Sequence, residues 1–311
     1  MKKIKTIALS LALCAGVTAH AQDCELQIAA MVDDQMGNIP AEASAQMETV
    51  LTRLANANGV TKDITYAQFI LTAKVDVLDK HIVAGPPQQV VNNLGVTLYI
   101  ADAINKQKYA NTYIEVNGVG KSETKSYINA LHNLKPQNAD IVRFIDSAKK
   151  KILAYYDRQY PNIIKEAERK ASLQQYEEAV ALCTAIPICS KGGEAAQKAG
   201  LKIYTKYRDL INQNILTQAK AVWAADQSPE AAAEVARLLA MIDPESSSYA
   251  QATTFMNDVR KQTRSDIDFE MREKYHDEVA IQKQTISAMR DVGVAYGNGQ
   301  KAQTTNLMWL R

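Results

Sequence analysis

The sequence predicts an α+β protein of two parts. The N-terminal part has the element order β-α-β-β-β-α-α with an antiparallel or mixed sheet. An all-α domain of helical-hairpin repeats follows it and ends in a long helix. Apolar and polar residues alternate in three segments of the first half, as in strands with one face toward water. Strand patterns cease after Tyr156 until the extreme C-terminus, and the helical part matches itself at an offset of 52 residues.

The α/β domain is assigned to residues 22–156. A short strand is expected over residues 25–32. The helix after it begins at Pro40 and ends at Gly59, because proline suits a first turn and glycine ends helices. Three strands then follow with no helix between them, which favours an antiparallel or mixed sheet over a parallel one. The apolar positions of the first two strands are Phe69, Leu71, Ala73, Val75 and Val77, then Leu94, Val96, Leu98 and Ile100, and the third strand spans 113–119.

The segment Gly118-Val119-Gly120-Lys121-Ser122 lies between a strand and a helix, where a phosphate-binding loop would lie. Such a loop needs a glycine five residues before Gly120. Glu115 occupies that position, and its carboxylate would repel phosphate. We therefore interpret the segment as a tight turn with glycines at positive φ. Ser122 is expected to cap the helix that follows, and a second helix is expected from Asn138.

The helical-repeat domain is assigned to residues 157–245. In each copy a polar turn joins two helices, at 173–175 and at 226–228, and a proline closes the unit at Pro187 and at Pro244. The residues that match 52 positions apart are Ile164 and Leu216, Ala167 and Ala219, Ala171 and Trp223, Glu178 and Glu230, and Ala179 and Ala231. Closely packed helices require small residues at equivalent places, so this pattern predicts an array of helical hairpins.

One long helix is expected over residues 246–292, where Gly293 is the first helix breaker, and a tail over 293–311. The apolar stripe of this helix is thin and its middle is densely charged, so it cannot be buried on all sides. We expect its first half to pack on the second repeat. Its second half should either fold back along the array or project toward a partner.

Three residues near the end of the chain are candidates for docking to a partner: Tyr275 in the long helix, and Trp309 and Leu310 in the tail. The end of the tail is too apolar to remain free in water. We expect it to dock on the α/β domain, for example as an added edge strand, or on another protein.

Residues 1–21 have the three parts of a secretory signal peptide. A basic start is followed by an apolar run over residues 7–17 and by the small-x-small sequence Ala19-His20-Ala21. The apolar run is shorter than the roughly 20 residues that a permanent membrane anchor needs, and no other stretch approaches that length. We therefore expect cleavage before Gln22 and an exported protein of the periplasm or the cell envelope, with no transmembrane segment.

A lipid anchor on a cysteine is the rival interpretation of the N-terminus. Leu13 precedes Cys14 and is bulky where a small residue is needed. Gln22 and Asp23 precede Cys24 and are polar where the recognition box is apolar. Both cysteines are therefore poor anchors.

Charge and motif content argue against nucleic-acid binding and against most kinds of catalysis. Once the three signal lysines are removed, 33 of the 36 basic residues remain against 34 acidic ones, too balanced for phosphate neutralisation. His81, His132 and His276 lie far apart and form no metal-ligand pair, so we expect neither a metal nor another cofactor. No nucleophile-elbow motif occurs. We identify no catalytic residue and do not expect an enzyme.

Cys183 and Cys189 are close in sequence. Pro187 turns the chain away from the helix that carries Cys183, and a six-residue turn could bring the two sulfurs within bonding range. Two outcomes stay open: a disulfide between Cys183 and Cys189, or two small buried apolar residues.

Two resemblances bear on function. The element order over residues 24–135, with Tyr113-Ile114-Glu115-Val116-Asn117-Gly118-Val119-Gly120 leading into a helix that carries Ala130, resembles small α/β domains of bacterial envelope proteins. These are the N-terminal domain of the Tol-system translocation protein and the periplasmic domain of the curli secretion channel. Residues 161–245 resemble tetratricopeptide-type repeats through Tyr176-Glu177-Glu178-Ala179 and Pro187. They depart from that family in repeat length, which is usually about 34 residues, and in lacking its Trp-Leu-Gly.

The resemblance implies a protein-interaction scaffold or assembly factor of the envelope that binds a protein partner through its helical repeats. The alternative function is a hydrolase that acts on a cell-wall or polysaccharide substrate through a dispersed site. An acidic cleft would favour the hydrolase, and a tyrosine-lined groove without perturbed acids would favour the scaffold.

Overall fold

The computed structural model describes residues 26–32, 40–59, 68–102, 105–263 and 278–301. Its elements, in chain order, are β1 (Ile28–Ala30), α1 (Ala41–Ala57), β2 (Phe69–Val83), β3 (Gln89–Asp102), β4 (Gln107–Gly120), α2 (Glu123–Leu131), α3 (Ala139–Ser172), α4 (Tyr176–Thr184), α5 (Gly193–Ala225), α6 (Pro229–Leu239), α7 (Tyr249–Thr263) and α8 (Glu278–Lys301). The predicted α+β class is confirmed, and so is the order β-α-β-β-β-α-α of the first part.

The sheet has four strands in the order β1-β2-β3-β4. β1 runs parallel to β2, and the other neighbours are antiparallel, so the sheet is mixed. In the register, Val96 on β3 lies opposite Val75 on β2 and Ile114 on β4. The alternation that predicts the strands thus places their apolar side chains on one face.

Three helices cover that face. α1, α2 and α3 each contribute to one buried cluster with the strands, whose central members are Met47, Leu51, Tyr127, Leu131, Ile145, Ile152, Leu71, Val96 and Leu98. Removing these side chains from water is the main driving force for folding of this part. The other face of the sheet carries polar and charged side chains such as Lys74, Asp76 and Glu115.

Gly118 and Gly120 belong to β4 and not to a turn. Gly120 still pairs with Val90, and among the described residues Gly59 is the glycine with a positive φ. The predicted positive φ at Gly118 and Gly120 is therefore wrong. Both glycines instead allow the backbone of α2 to approach β4, because a Cβ on either would overlap backbone atoms of α2. The expected cap is confirmed: the Ser122 hydroxyl accepts a hydrogen bond from the Lys125 amide at 3.2 Å.

α3 connects the two parts without a linker. It is 34 residues long and continues through Pro161 and across the predicted domain boundary between residues 156 and 157. Its first half packs in the sheet core, and Ala167 of its second half packs in the helical part. Pro161 is exposed, so water can satisfy the backbone carbonyl that loses its helical donor. Ile186 and Ala196, which flank the α4–α5 turn, also belong to the sheet core. The two parts therefore share a helix and a core.

The helical part contains the two expected hairpins, α3–α4 and α5–α6. Polar turns separate the helices at 173–175 and 226–228, as expected. Ala167 and Ala219, which match across the repeat, are both fully buried. The small side chain at each position lets the second helix of its hairpin pack closely.

The region expected as one helix contains two described helices with different neighbours. α7 packs on α6, and two hydrogen bonds link it to α5: the hydroxyl of Ser248, just before α7, donates to Gln213 at 3.0 Å, and the Trp223 indole donates to Gln262 at 3.2 Å. Its path therefore follows α5 toward the C-terminal end of α5. α8 lies against the first hairpin, where Met289 packs with Cys183.

A straight helix advances 1.5 Å per residue and would carry Met289 away from the first hairpin. α8 therefore folds back along the array, one of the two arrangements expected for the second half of this region, and residues 264–277 between α7 and α8 lie outside the described residues. α8 also continues through Gly293 to Lys301, where a tail was expected. Gly293 does not end the helix. Because it has no side chain, α8 packs directly against Thr184 of α4 at this position, and this packing stabilises the helix. In the described part of the chain, no helix is both long enough and apolar enough to cross a bilayer.

Candidate functional site

A groove with a volume of about 520 Å³ lies where α4, the α4–α5 turn and α8 meet the residues just before β1 and at the start of β2. Its size is within the usual range of ligand-binding cavities. We call this cavity the groove and define it by six of its lining residues, Leu26, Phe69, Leu182, Ile188, Met289 and Tyr296. Apolar side chains dominate this lining.

The α4–α5 turn forms one wall of the groove, and short hydrogen bonds hold it in place. The Ser190 hydroxyl donates to the Pro187 carbonyl at 2.7 Å, and the Lys191 amide donates to the Asp157 carboxylate of α3 at 2.8 Å. The turn thus holds Ile188 at the rim, where 65% of its surface is exposed. An isoleucine this exposed on a fixed turn is available to a partner.

α8 forms the opposite wall and lies close to its neighbours because glycines line its contacts. A Cβ on Gly200 of α5 would lie 2.8 Å from the sulfur of Met289, and Gly293 meets Thr184 of α4. Met289 is almost fully buried, and its flexible thioether fills the space between α4, α5 and α8.

A polar network lies beside the groove. Two of its members, Gln68 and Asn105, also line the groove. The Gln68 amide donates to the Asp102 carboxylate at 2.8 Å and to the Tyr156 hydroxyl at 2.6 Å. Asn105 donates to Asp102 through its backbone and its side chain, both at 2.9 Å. Burial, and then the nearby Asp102 carboxylate, raise the pKa of Tyr156 well above its usual value. The network ties α3 to the sheet, and its hydrogen bonds explain how Asp102 tolerates complete burial.

The ionisable groups that line the groove do not form a catalytic set. Glu178 is engaged by Lys170 at 2.9 Å. Burial, and to a smaller extent Glu168, raises the pKa of the Cys183 thiol to about 12, whereas a nucleophilic cysteine needs a lowered pKa. Among the described residues, no group of three His, Cys, Asp or Glu side chains could hold a metal ion.

Of His81, His132 and His276, the first two are described, and neither lines the groove. His81 pairs with Asp79 on the exposed β2–β3 hairpin at 2.5 Å, and His132 lies 3.4 Å from the Gln46 side chain. His276 lies outside the described residues.

A disulfide between Cys183 and Cys189, one of the two outcomes left open, is wrong, and the alternative of two buried residues holds for Cys183 alone. Cys183 is a free, buried thiol, and Cys189 is bonded in a disulfide whose partner lies outside the described residues. The two cysteines face different surroundings. Cys183 points into the contact with Gly200 and Met289, and Cys189 lies exposed on the turn after Pro187.

A second cavity of about 370 Å³ lies between α3, α4 and α5 and is lined by Tyr176, Lys202 and Lys206, among others. Tyr176 stacks on Tyr207 with ring centroids 5.6 Å apart, and the Tyr207 hydroxyl donates to Glu177 at 2.6 Å. Its mixed charges and polar lining make it a weaker candidate than the groove.

Of the residues singled out from the sequence, Cys183 and Cys189 line the groove, but they were predicted as a disulfide pair and not as part of a binding site. Tyr275, Trp309 and Leu310, the predicted docking residues, lie outside the described residues. The available signal was the apolar sequence Ile186-Pro187-Ile188, because a turn that leaves a helix is usually polar.

No protein-family model matches the chain, and no curated protein matches its sequence. One solved structure, a minor lipoprotein from Acinetobacter baumannii, aligns with 40% of this chain and 94% of its own, at 20% identity and a TM-score of 0.27. A likeness this low supports no conclusion about fold or function. The resemblance to tetratricopeptide repeats is not confirmed.

Proposed function

We propose that this protein is an exported scaffold of the cell envelope that binds a protein partner in the groove. The observation that supports the proposal is the chemistry of the groove, a cavity of about 520 Å³ with apolar walls on two helices and an exposed isoleucine at its rim. Apolar anchors that enter such cavities supply most of the affinity of protein interfaces. The partner is therefore expected to insert apolar side chains between α4 and α8.

The walls of the groove suit recognition because they are fixed before the partner arrives. Hydrogen bonds hold the α4–α5 turn to α3, and close glycine contacts hold α8 to α4 and α5. A preformed site loses little conformational entropy on binding, so more of the contact energy appears as affinity.

The hydrolase alternative lacks support in the groove. Hydrolysis of a glycosidic bond generally needs two carboxyl groups facing each other. Among the described residues that line the groove, Glu178 is the one that carries a carboxylate, and Lys170 engages it.

Placing a charge at the rim of the groove should release the partner. Ile188→Glu is expected to reduce co-purification of the partner from envelope extracts at least about tenfold, because an unpaired carboxylate must lose water against apolar walls. The measurement is quantitative mass spectrometry of proteins that co-purify with the wild type and the variant.

Met241→Glu is the matched control. Met241 is an apolar residue in the turn after α6, and 51% of its surface is exposed, but it does not line the groove. A partner retained by Met241→Glu and lost from Ile188→Glu supports the proposal. Equal loss from both variants, or retention by both, contradicts it, provided that both melt like the wild type.

A further inference from the structure

We infer that Cys189 is joined to Cys24, so that a disulfide ties the start of β1 to the α4–α5 turn at the groove. Cys189 is disulfide-bonded and Cys183 is free. The chain has four cysteines, so the partner of Cys189 is Cys14 or Cys24.

The position of β1 favours Cys24. Leu26 is 2% exposed in the sheet core, and it lines the same groove as Cys189. Cys24 is two residues before Leu26, and a chain spans at most about 3.6 Å per residue, so the sequence keeps Cys24 within reach of the groove. Cys14 is ten residues further than Cys24 from Leu26 along the chain, and it lies in the segment that the expected signal cleavage removes.

The bond forms by thiol–disulfide exchange in an oxidising compartment. One cysteine thiolate attacks the disulfide of an envelope dithiol oxidase and gives a mixed disulfide, releasing one thiolate of the oxidase. The second cysteine thiolate then attacks the mixed disulfide and releases the second thiolate of the oxidase. Both protons pass to solvent or to the released thiolates, and the oxidase gains the two electrons that the two cysteines lose.

This pairing determines the modification state of Cys24. A lipid anchor is attached through a thioether on the cysteine sulfur, and a sulfur in a disulfide cannot form one. The inference therefore makes the exported chain unlipidated at Cys24. It also makes two walls of the groove, β1 and the α4–α5 turn, covalently continuous, whether or not a protein partner binds there.

Peptide mapping of the exported protein tests the pairing. The protein is alkylated without reduction, first folded and then in denaturant, and digested. We expect one linked pair of peptides containing Cys24 and Cys189, with Cys183 alkylated only in denaturant. A diacylglyceryl group or a free thiol on Cys24, or Cys189 linked to another cysteine, would overturn the inference.

Melting temperatures give a second test. Cys24→Ser, Cys189→Ser and the double variant should share the same fall in Tm, about 5–10 °C, since each breaks one bond that closes a long loop. A reductant should lower the Tm of the wild type to that of the variants and leave the variants unchanged. Additive falls in the double variant, or a wild type insensitive to reductant, would contradict the pairing.

Discussion

Replacing Gly118 by alanine should lower the free energy of unfolding by about 3 kcal/mol or more. Gly118 lies in β4 under α2, and a Cβ there would overlap the Ser126 carbonyl oxygen and the Ala130 amide nitrogen and lie 2.8 Å from the Ala130 Cβ. These atoms are mostly backbone and cannot rotate aside, so α2 must move away from the sheet and expose Tyr127 and Leu131. Urea denaturation monitored by circular dichroism measures the loss.

Gly85→Ala is the matched control for this substitution. Gly85 lies at the tip of the β2–β3 hairpin, and the nearest atom to an added Cβ is the Pro87 carbonyl oxygen at 3.8 Å. We expect a change within about 0.5 kcal/mol. Equal effects at Gly85 and Gly118 would show that the close approach of α2 to β4 does not limit stability.

Replacing Tyr156 by alanine should cost about 3–5 kcal/mol, and replacing it by phenylalanine about 1 kcal/mol. Tyr156 is 1% exposed, and its ring packs edge-to-face on Phe69 at 6.2 Å and on Tyr155 at 5.1 Å. Alanine removes the ring and leaves a cavity between α3 and the sheet, whereas phenylalanine removes only the hydroxyl that accepts the Gln68 hydrogen bond at 2.6 Å. Urea denaturation of both variants measures the difference.

Tyr113→Phe is the control, because Tyr113 is 51% exposed and its hydroxyl donates a hydrogen bond to Glu115 at 3.2 Å on the surface. Its effect should stay within about 0.5 kcal/mol. A Tyr156→Phe variant as unstable as Tyr156→Ala would mean that the buried network, and not the ring, holds α3 to the sheet.

The raised pKa of Tyr156 predicts a second effect of the Tyr156→Phe substitution, on how stability depends on pH. An unfolded tyrosine loses its proton near pH 10, while folded Tyr156 keeps it to higher pH. In that interval the folded state binds more protons than the unfolded state, so stability falls as the pH rises. Tyr156→Phe should show a shallower fall in Tm between pH 9 and pH 11. If Tm falls as steeply with pH in Tyr156→Phe as in the wild type, the raised pKa does not belong to Tyr156.

The order of strands and helices could be predicted because it rests on local periodicity. Alternating residues such as Leu94, Val96 and Leu98 report which side of a strand is buried whatever the strand pairs with. The turns at 173–175 and 226–228 were equally local, and the structure places them as expected.

Features that depend on distant neighbours could not be predicted in this way. The glycines of β4 look like turn residues until α2 is known to lie against them, and Gly293 looks like a helix breaker until it meets Thr184. Spacing places Cys183 and Cys189 near each other, but it does not show that Cys183 faces the buried side of α4. The groove was missed for the same reason, since its walls come from segments more than 250 residues apart.

The most direct test of the proposed function is site-specific photo-crosslinking in living cells. A photoreactive phenylalanine replaces Ile188 at the rim of the groove in one strain and the exposed Met241 in the turn after α6, outside the groove, in another. We predict an adduct of one defined partner protein at position 188 and none at position 241. No adduct at 188, or the same adducts at both positions, would contradict the assignment of the groove as the binding site.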